Sequence, residues 1–265
     1  MKKRNKVALV TGGALGFKDG GPSIGGAITI RLAKDGYNVV VLDSCSMGEK
    51  TIEVIKNNGG EGVFVAGDVG TTVDIKMAIE IAKKNFGGLN CLVNCAARYT
   101  SGMAKNVVEI SEDEWEKTLR VNLGGYFRTA KYAIPVLLKS GGGTIINISS
   151  NAAFTALPDF SIYSVSKAAI NGLTRSLAVD FAPKIRTNAI CPGFVRIANS
   201  QNNRGRKELE EWYNRIAKRY PMKRVCEVEE IASVASFLAS DESFYINGTT
   251  IVVDGGYLAA DSHEF

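Results

Sequence analysis

The chain has 265 residues, of which 45% are hydrophobic and 22% charged, and this composition predicts a single globular domain spanning residues 1–265. Its formal net charge of +5 is spread along the chain, which argues against a nucleic-acid partner. No apolar run approaches the roughly 20 residues that cross a bilayer, and the short apolar stretch at 7–10 is typical of a buried strand, not of a signal peptide. We therefore expect a cytoplasmic protein with no membrane partner.

Cysteine and histidine content limits the chemistry further. The five cysteines form an odd set without CxxC spacing, which argues against a disulfide framework and a structural zinc site, so we expect no metal. The single histidine, His263, lies near the end of the chain, where segments are usually mobile. Most histidine-based catalysis is thereby excluded.

The predicted elements alternate between short β-branched runs and longer amphipathic stretches. Seven such runs predict strands at 6–11, 38–43, 62–68, 91–94, 143–149, 185–191 and 249–254. The run Val39-Val40-Val41-Leu42 is apolar throughout, as expected of a strand covered by helices on both faces. The pattern predicts an α/β fold with a doubly wound parallel seven-stranded sheet, the Rossmann fold, in three αβα layers.

A glycine-rich turn joins the first strand to the first helix. Thr11-Gly12-Gly13 ends the strand, and a helix is predicted to begin near Ile24-Gly25. Glycine lets the backbone approach a pyrophosphate, and the free amides at a helix N-terminus favour an anion. The turn therefore predicts a dinucleotide site, with a plain connector as the alternative.

Asp43 ends the second predicted strand, eighteen residues after Gly25. A carboxylate at this position accepts hydrogen bonds from the adenosine ribose diol and repels a 2′-phosphate, which favours NAD as the cofactor. An aspartate here is also a common turn residue. Lys18 lies in the preceding loop, within reach of a 2′-phosphate, and leaves NADP open.

Further along the chain, Ser111 is an N-cap candidate followed by three acidic residues, which predicts a helix leading through 115–121. A long irregular stretch begins at Arg196 and leads into a charged helix near 207–219. Because long excursions inside compact domains are often lids, we expect a substrate lid at 196–224.

The strongest catalytic signal is Tyr163-Ser164-Val165-Ser166-Lys167, a YxxxK inside a helical pattern. Residues four apart share a helix face, so the ammonium of Lys167 is expected beside the Tyr163 phenol. A free tyrosine has a pKa near 10. We expect the charge of Lys167, together with an oxidised nicotinamide, to lower that pKa and make Tyr163 a useful acid–base group.

These motifs resemble the short-chain dehydrogenase/reductase family. The Thr11 turn, Asp68-Val69 after the third strand, Asn94-Cys95-Ala96-Ala97 after the fourth, and Ser150 thirteen residues before Tyr163 follow its order, over residues 6–258. The resemblance implies a catalytic group of Asn122, Ser150, Tyr163 and Lys167. It also implies cofactor-binding residues at the strand ends: Gly12, Ser23, Ile24, Gly25, Asp43, Asp68, Val69, Asn94, Ala96, Tyr163, Lys167, Pro192, Gly193 and Val195.

The resemblance also implies a role for each catalytic residue. Hydride passes between the nicotinamide and the carbinol or carbonyl carbon of the substrate, and Tyr163 moves the proton. Ser150 holds the substrate oxygen, Lys167 binds the nicotinamide ribose, and Asn122 orders a water between Lys167 and solvent. In the same way Asp68 meets the adenine and Asn94 braces the sheet. The final strand and its glycine pair imply a homotetramer.

The chain departs from the family pattern in two places. Ser23 replaces the glycine two positions before Gly25, and the turn is longer, so 15–22 is either a flap over the pyrophosphate or a surface loop. Ile197 replaces the usual threonine of the nicotinamide segment, so 190–195 is expected to bind mostly through its backbone.

Four other functions are compatible with parts of this sequence. A serine hydrolase at Ser150 is disfavoured because no GxSxG surrounds that serine and the only histidine is near the chain end. An enoyl reductase is suggested by Ser23-Ile24-Gly25, although that branch spaces its tyrosine and lysine more widely. A 3-oxoacyl-carrier-protein reductase usually prefers NADP, in tension with Asp43. A non-catalytic NAD-binding sensor would not need the proton path.

Substrate identity depends on the variable loops 98–103 and 151–160 and on the lid. The expected substrate is a small secondary alcohol or carbonyl compound: a sugar, polyol, hydroxy acid or cyclic alcohol. The basic excess in the lid, which includes Arg196, Arg204 and Arg206, suggests an anionic or sugar-acid substrate. Such charge is more often a solvated helix face.

Overall fold

The computed structural model describes residues 5–16, 21–197 and 206–260. Within them, seven parallel strands form one sheet in the order β3-β2-β1-β4-β5-β6-β7. The strands are β1 (Val7–Thr11), β2 (Asn38–Asp43), β3 (Gly62–Ala66), β4 (Cys91–Asn94), β5 (Gly143–Ile148), β6 (Ile185–Pro192) and β7 (Thr250–Val253). This topology confirms the predicted doubly wound seven-stranded sheet.

Helices cover both faces of the sheet. They are α1 (Ile24–Lys34), α2 (Met47–Asn57), α3 (Thr72–Phe86), α4 (Glu112–Asn122), α5 (Gly124–Lys139), α6 (Ser161–Asp180), α7 (Arg206–Ala217) and α8 (Val228–Ala239). One core packs α1 and α8 against the sheet, and the other packs α3 and α5 against its opposite face. Strand residues therefore face apolar groups on both sides, which explains their nearly continuous apolar runs. No helix in the described ranges combines the length and apolar character needed to cross a membrane.

The order of the strands reverses between β1 and β4. These two strands are neighbours in the sheet, with Thr11 in register with Asn94. Successive connections leave this point towards opposite edges, so a crevice opens beyond the carboxyl ends of the two strands. The Thr11 hydroxyl accepts hydrogen bonds from the backbone amides of Cys95 and Ala96 and joins the two strand ends.

Side-chain caps set several element boundaries. The hydroxyl of Ser111 accepts a hydrogen bond from the Glu114 amide, which confirms the predicted N-cap of α4. The third strand is shorter than predicted and ends at Ala66. Its predicted last residue, Asp68, instead takes part in the turn before α3, because its amide donates to the carboxylate of Asp74.

Candidate active site

Three of the predicted catalytic residues meet at the carboxyl ends of the central strands. Tyr163 and Lys167 lie on successive turns of α6, and Ser150 follows β5. The Lys167 side chain is buried, and its Nζ donates a 2.9 Å hydrogen bond to the Ile148 carbonyl. The same Nζ lies 5.7 Å from the ring centres of Tyr163 and Tyr126. Helical spacing thus places Lys167 beside Tyr163, as the YxxxK pattern predicts.

Ser150 is held close to Tyr163 by local structure. It has an extended backbone and caps a short 3₁₀ turn, Asn151–Ala153, by accepting a 3.1 Å hydrogen bond from the Ala152 amide. Its side chain also hydrogen-bonds that of Tyr163. The two hydroxyls therefore lie together, where both can contact one substrate oxygen.

Asn122 is the last residue of α4, and a break at Leu123 separates α4 from α5. Its buried side chain is bound to the backbone of Arg98: Oδ1 accepts from the Arg98 amide at 2.7 Å, and Nδ2 donates to the Arg98 carbonyl at 3.2 Å. Asn122 thus fixes the loop that follows β4. Its role in ordering a water near Lys167 stays a prediction.

Burial sets the acid–base properties of the two α6 residues. It raises the pKa of Tyr163 to about 12, although the hydrogen bond from Ser150 acts in the opposite direction. Burial also lowers the pKa of Lys167 to about 8. The expectation that Lys167, together with an oxidised nicotinamide, lowers the Tyr163 pKa concerns the cofactor complex and stays a prediction.

The glycine-rich turn is built by close backbone packing. Gly12 has φ +64°, and a Cβ there would lie 2.6 Å from Ala96; at Gly25 a Cβ would lie 1.8 Å from the Gly12 carbonyl oxygen. Ser23 is the N-cap of α1: its hydroxyl accepts from the Gly26 amide at 3.0 Å and donates to the Ala14 carbonyl at 2.6 Å. The serine that replaces a family glycine thus stabilises the first turn of α1.

The turn fits the pyrophosphate of a dinucleotide. The first turn of α1 is Ile24-Gly25-Gly26-Ala27, so it adds no negative charge to the positive end of the helix dipole. The first amides of a helix have no partner within it and are available to an anion. Residues 17–20 of the predicted flap, including Lys18, lie outside the described residues.

Asp43 lies at the end of β2, beside this turn. Its carboxylate accepts hydrogen bonds from the backbone amides of Ala14 at 3.0 Å and Cys45 at 2.9 Å. Burial raises its pKa, and the backbone hydrogen bonds oppose that shift. The three residues that follow, Ser44-Cys45-Ser46, are uncharged. The group present fits a ribose diol better than a phosphate.

The residues predicted to contact the adenosine half are engaged within the protein in different ways. Asp68 accepts from the Gly70 amide and forms an ion pair with Arg120 at 3.3 Å. The Val69 side chain is buried in the core. Asn94 is fully enclosed and hydrogen-bonds Asn147 and Thr129, so its side chain braces the sheet, as predicted, and leaves only its backbone to reach a cofactor.

The predicted nicotinamide loop follows β6. Pro192 is the last residue of that strand, and the Gly193 amide donates to the Val253 carbonyl at 2.9 Å. A Cβ at Gly193 would lie 2.8 Å from the Asp254 Cα, so only glycine fits here. Val195 is buried and pairs with Cys226. The loop is therefore tied to β7 on one side and to the segment before α8 on the other.

Sequence reasoning did not single out three side chains near these loops. Tyr99 stacks on Phe160 with ring centres 5.9 Å apart and meets the Tyr163 ring edge-on at 5.8 Å. The Tyr220 hydroxyl accepts from the Phe194 amide at 3.0 Å. The sequence offered only weak signals for these residues. Tyr99 lies in a variable loop already assigned to the substrate, and Tyr220 resembles any other aromatic residue of the predicted lid.

The described part of the predicted lid is held through Arg196. Its guanidinium forms ion pairs with Glu210 at 2.6 Å and Glu227 at 3.2 Å, and it lies 4.3 Å above the Tyr213 ring. These contacts, and the pairing of Arg224 with Glu230, balance the charge of two of the basic side chains on which an anionic-substrate site would depend. Residues 198–205, which include Arg204, and the Arg206 side chain lie outside the described part of the chain.

Comparison with known proteins identifies the class. Residues 21–258 match the family model described as Enoyl-(Acyl carrier protein) reductase. The chain is 37% identical to human dehydrogenase/reductase SDR family member 4, over 95% of this chain and 87% of that protein. It is 33% identical to a cyclohexanol dehydrogenase from Acinetobacter sp., over 97% and 96%. The ligand-free structure of Thermoplasma acidophilum aldohexose dehydrogenase matches 99% of this chain and 97% of its own, with a TM-score of 0.86 and 31% identity.

The sheet topology and the group at its carboxyl edge thus define an oxidoreductase with a dinucleotide-binding fold. The chain belongs to the short-chain dehydrogenase/reductase family. Dehydrogenases of this family use nicotinamide cofactors, NAD or NADP. The family assignment and the enzyme class predicted from the YxxxK motif are confirmed.

Proposed function

We propose that this chain is an NAD-dependent oxidoreductase that interconverts a secondary alcohol and the corresponding carbonyl compound. The observation that carries the proposal is the joining of the Tyr163 and Ser150 hydroxyls beside the buried Lys167. One site then has a proton donor, a second hydroxyl for the same substrate oxygen and a nearby cation. These are the groups that alcohol–carbonyl chemistry needs from a protein when a nicotinamide supplies or accepts the hydride.

The proton step is assigned to Tyr163. Because burial raises its pKa to about 12, the phenol is protonated at neutral pH and can donate to a carbonyl oxygen. In the oxidative direction the phenolate must first form, which the positive charges of Lys167 and an oxidised nicotinamide favour. Ser150 orients the substrate oxygen, and Asn122 supports the site through the loop after β4.

NAD is proposed as the cofactor because of Asp43. The carboxylate is held at the end of β2 by two backbone amides, next to the turn that fits a pyrophosphate. A 2′-phosphate at this place would meet a negative charge. We propose that Gly12, Ile24 and Gly25 take the pyrophosphate through their backbone.

The aromatic pair beside Tyr163 supports a cyclic substrate. Tyr99 is 47% exposed and touches both Phe160 and Tyr163, so an aromatic surface adjoins the reacting hydroxyl. The apolar face of a cyclic alcohol or a sugar ring packs favourably on such a surface. We therefore place cyclic secondary alcohols before linear polyols and hydroxy acids.

The enoyl reductase reading is less well supported, although the matching family model carries that description. Lys167 follows Tyr163 by a single helical turn, and Tyr163 hydrogen-bonds Ser150, an arrangement that suits addition of a proton to oxygen. A non-catalytic NAD-binding sensor would retain the glycine-rich turn at Gly12 but would not require Tyr163, Lys167 and Ser150 together.

The test is turnover at 340 nm with purified protein, NAD or NADP, and a panel of cyclic alcohols, sugars, polyols and hydroxy acids. We expect reduction of NAD by one class, and loss of about 10²-fold or more in kcat in Tyr163→Phe, which keeps the ring and removes the proton carrier. Tyr132→Phe, on α5, is the matched control and should retain wild-type kcat.

Two outcomes would count against the proposal. Wild-type turnover in Tyr163→Phe would remove the proton role of that residue. Reduction of an enoyl thioester, with no activity on any alcohol or ketone, would support the enoyl reductase reading.

A further inference from the structure

Tyr220 lies after the lid helix α7, and its side chain is almost fully buried. Its hydroxyl accepts a 3.0 Å hydrogen bond from the Phe194 amide and is also hydrogen-bonded by the side chain of Asn151. The ring packs against Gly193, where a Cβ would lie 3.1 Å from Cε1 of Tyr220. One hydroxyl thus holds two loops that approach it from different strands.

Both loops belong to the proposed site. Phe194 lies in the predicted nicotinamide loop after β6, while Asn151 follows Ser150 at the end of β5. The Asn151 Oδ1 lies 3.4 Å from the Ser150 hydroxyl oxygen, and Ser150 in turn hydrogen-bonds Tyr163. Contacts therefore run without interruption from the lid to the reacting tyrosine.

Removing the Tyr220 hydroxyl would leave two donors without their acceptor in a buried place. An unmet buried donor is energetically unfavourable, so the loops are expected to shift until each donor finds water or another acceptor. Any such shift moves Phe194 and Asn151 relative to each other. The ring of Tyr220 would remain packed against Gly193.

We propose that Tyr220 is a positioning residue that holds the nicotinamide loop after β6 and the 3₁₀ turn capped by Ser150 in a fixed relative position. Tyr220 thereby couples the predicted lid to nicotinamide binding. The expected effect of Tyr220 on turnover rests on the proposed function, whereas its expected effect on nicotinamide affinity can be measured without turnover. Tyr220 acts through Phe194 and Asn151 and is not assigned any contact with substrate.

The first test measures affinity for NADH and for ADP-ribose, which lacks the nicotinamide, by fluorescence titration and calorimetry. Tyr220→Phe should weaken NADH binding about tenfold and leave ADP-ribose within about twofold, because only the nicotinamide meets the disturbed loop. Tyr257→Phe is the matched control: its ring lies 5.1 Å from Tyr220, but its hydroxyl contacts Arg219 at the surface. Both ligands should bind this control as they bind the wild type.

The second test is a double-mutant cycle on cyclohexanol turnover. Tyr220→Phe and Asn151→Ala should each lower kcat about tenfold, and the double variant should fall little further, because both remove the same link. Asn151→Ala also keeps the proposal testable if Tyr220→Phe folds poorly, since it should show the same selective loss of NADH affinity.

The proposal is overturned if both ligands weaken equally, if neither weakens, or if the two substitutions are additive. Wild-type protein that binds NADH but converts no alcohol or ketone would reject the proposed function and leave Tyr220 to be judged on the two affinities. Wild-type protein that binds no NADH would reject both.

Discussion

At the scale of single residues, burial governs how Tyr163 and Lys167 titrate. The Tyr163 pKa is raised to about 12 and that of Lys167 is lowered to about 8, both by desolvation. Below the pKa of Tyr163, the phenolate fraction grows about tenfold for each pH unit. Alcohol oxidation needs this fraction, whereas carbonyl reduction needs the phenol.

We therefore expect kcat/KM for the alcohol, at saturating NAD, to rise between about pH 6 and about pH 9. It should level off once the pH passes the pKa of Tyr163 in the NAD complex, which the nicotinamide charge lowers. Carbonyl reduction with NADH should be flat and then fall over the same range. Steady-state rates in both directions measure this, and an oxidation profile that falls with pH would contradict it.

Asp43 permits a second prediction at this scale. Asp43→Asn keeps an acceptor oxygen for one of the two backbone amides, of Ala14 and Cys45, and removes the charge that opposes a 2′-phosphate. The ratio of kcat/KM for NAD to that for NADP should fall about tenfold or more, mainly through improved use of NADP. Asp113→Asn, at an exposed aspartate of α4, is the control and should leave the ratio unchanged. An unchanged ratio in Asp43→Asn would move the source of cofactor preference elsewhere.

Sequence was most informative about residues whose partners lie in the same element. Tyr163 and Lys167 are one helical turn apart, so their proximity follows from the helix alone. Tyr220 depends on Phe194 and Asn151, which belong to other segments of the chain. The raised pKa of Tyr163 could not be predicted from the motif, because its main cause is burial by the whole fold.

At the scale of elements, the strands were predictable because a buried parallel strand is apolar on both faces. The ends of the strands were harder to predict, because they depend on hydrogen bonds between side chains and the backbone. Asp68 shows this: it was placed in the third strand, but its amide binds Asp74 and the strand has already ended at Ala66. The N-cap at Ser111 was predicted correctly because the amide that it binds, that of Glu114, lies only three residues further along the chain.

The prediction at the scale of elements concerns how α7, the helix of the predicted lid, is held in place. Arg196 joins it to the segment before α8 through two partly exposed ion pairs and a cation–π contact with Tyr213. Arg196→Met retains side-chain length and removes the charge. Together the contacts contribute on the order of 1–2 kcal/mol, so amide exchange in α7 should accelerate about tenfold.

Hydrogen exchange with mass spectrometry measures this, and KM for the alcohol should rise with less change in kcat. Arg224→Met is the control, because Arg224 pairs with Glu230 and not with α7. Unchanged amide exchange in α7 of the Arg196→Met variant would show that the apolar packing of α7 alone holds this helix in place.

At the scale of the whole molecule, large apolar side chains remain exposed at several places in the described part of the chain, and we propose that two of these places are surfaces of association between copies. The first lies on α5 and α6, where Phe127 is 51% and Val179 is 79% exposed. The second adjoins the edge strand β7 and includes Phe244 and the fully exposed Tyr245. A protein with two separate self-complementary surfaces assembles as a tetramer with three perpendicular two-fold axes.

We therefore predict a homotetramer with four times the 28.4 kDa mass of the chain, measured by sedimentation equilibrium or light scattering. Phe127→Glu and Tyr245→Glu each place a charge on one surface only, so each should yield dimers, and the double variant monomers. Val73→Glu, at a residue of α3 that is 74% exposed and belongs to neither surface, should remain tetrameric. A monomeric wild type at micromolar concentration would contradict the assembly. Dimers from the wild type, dissociated by only one of the two substitutions, would show that a single surface is used.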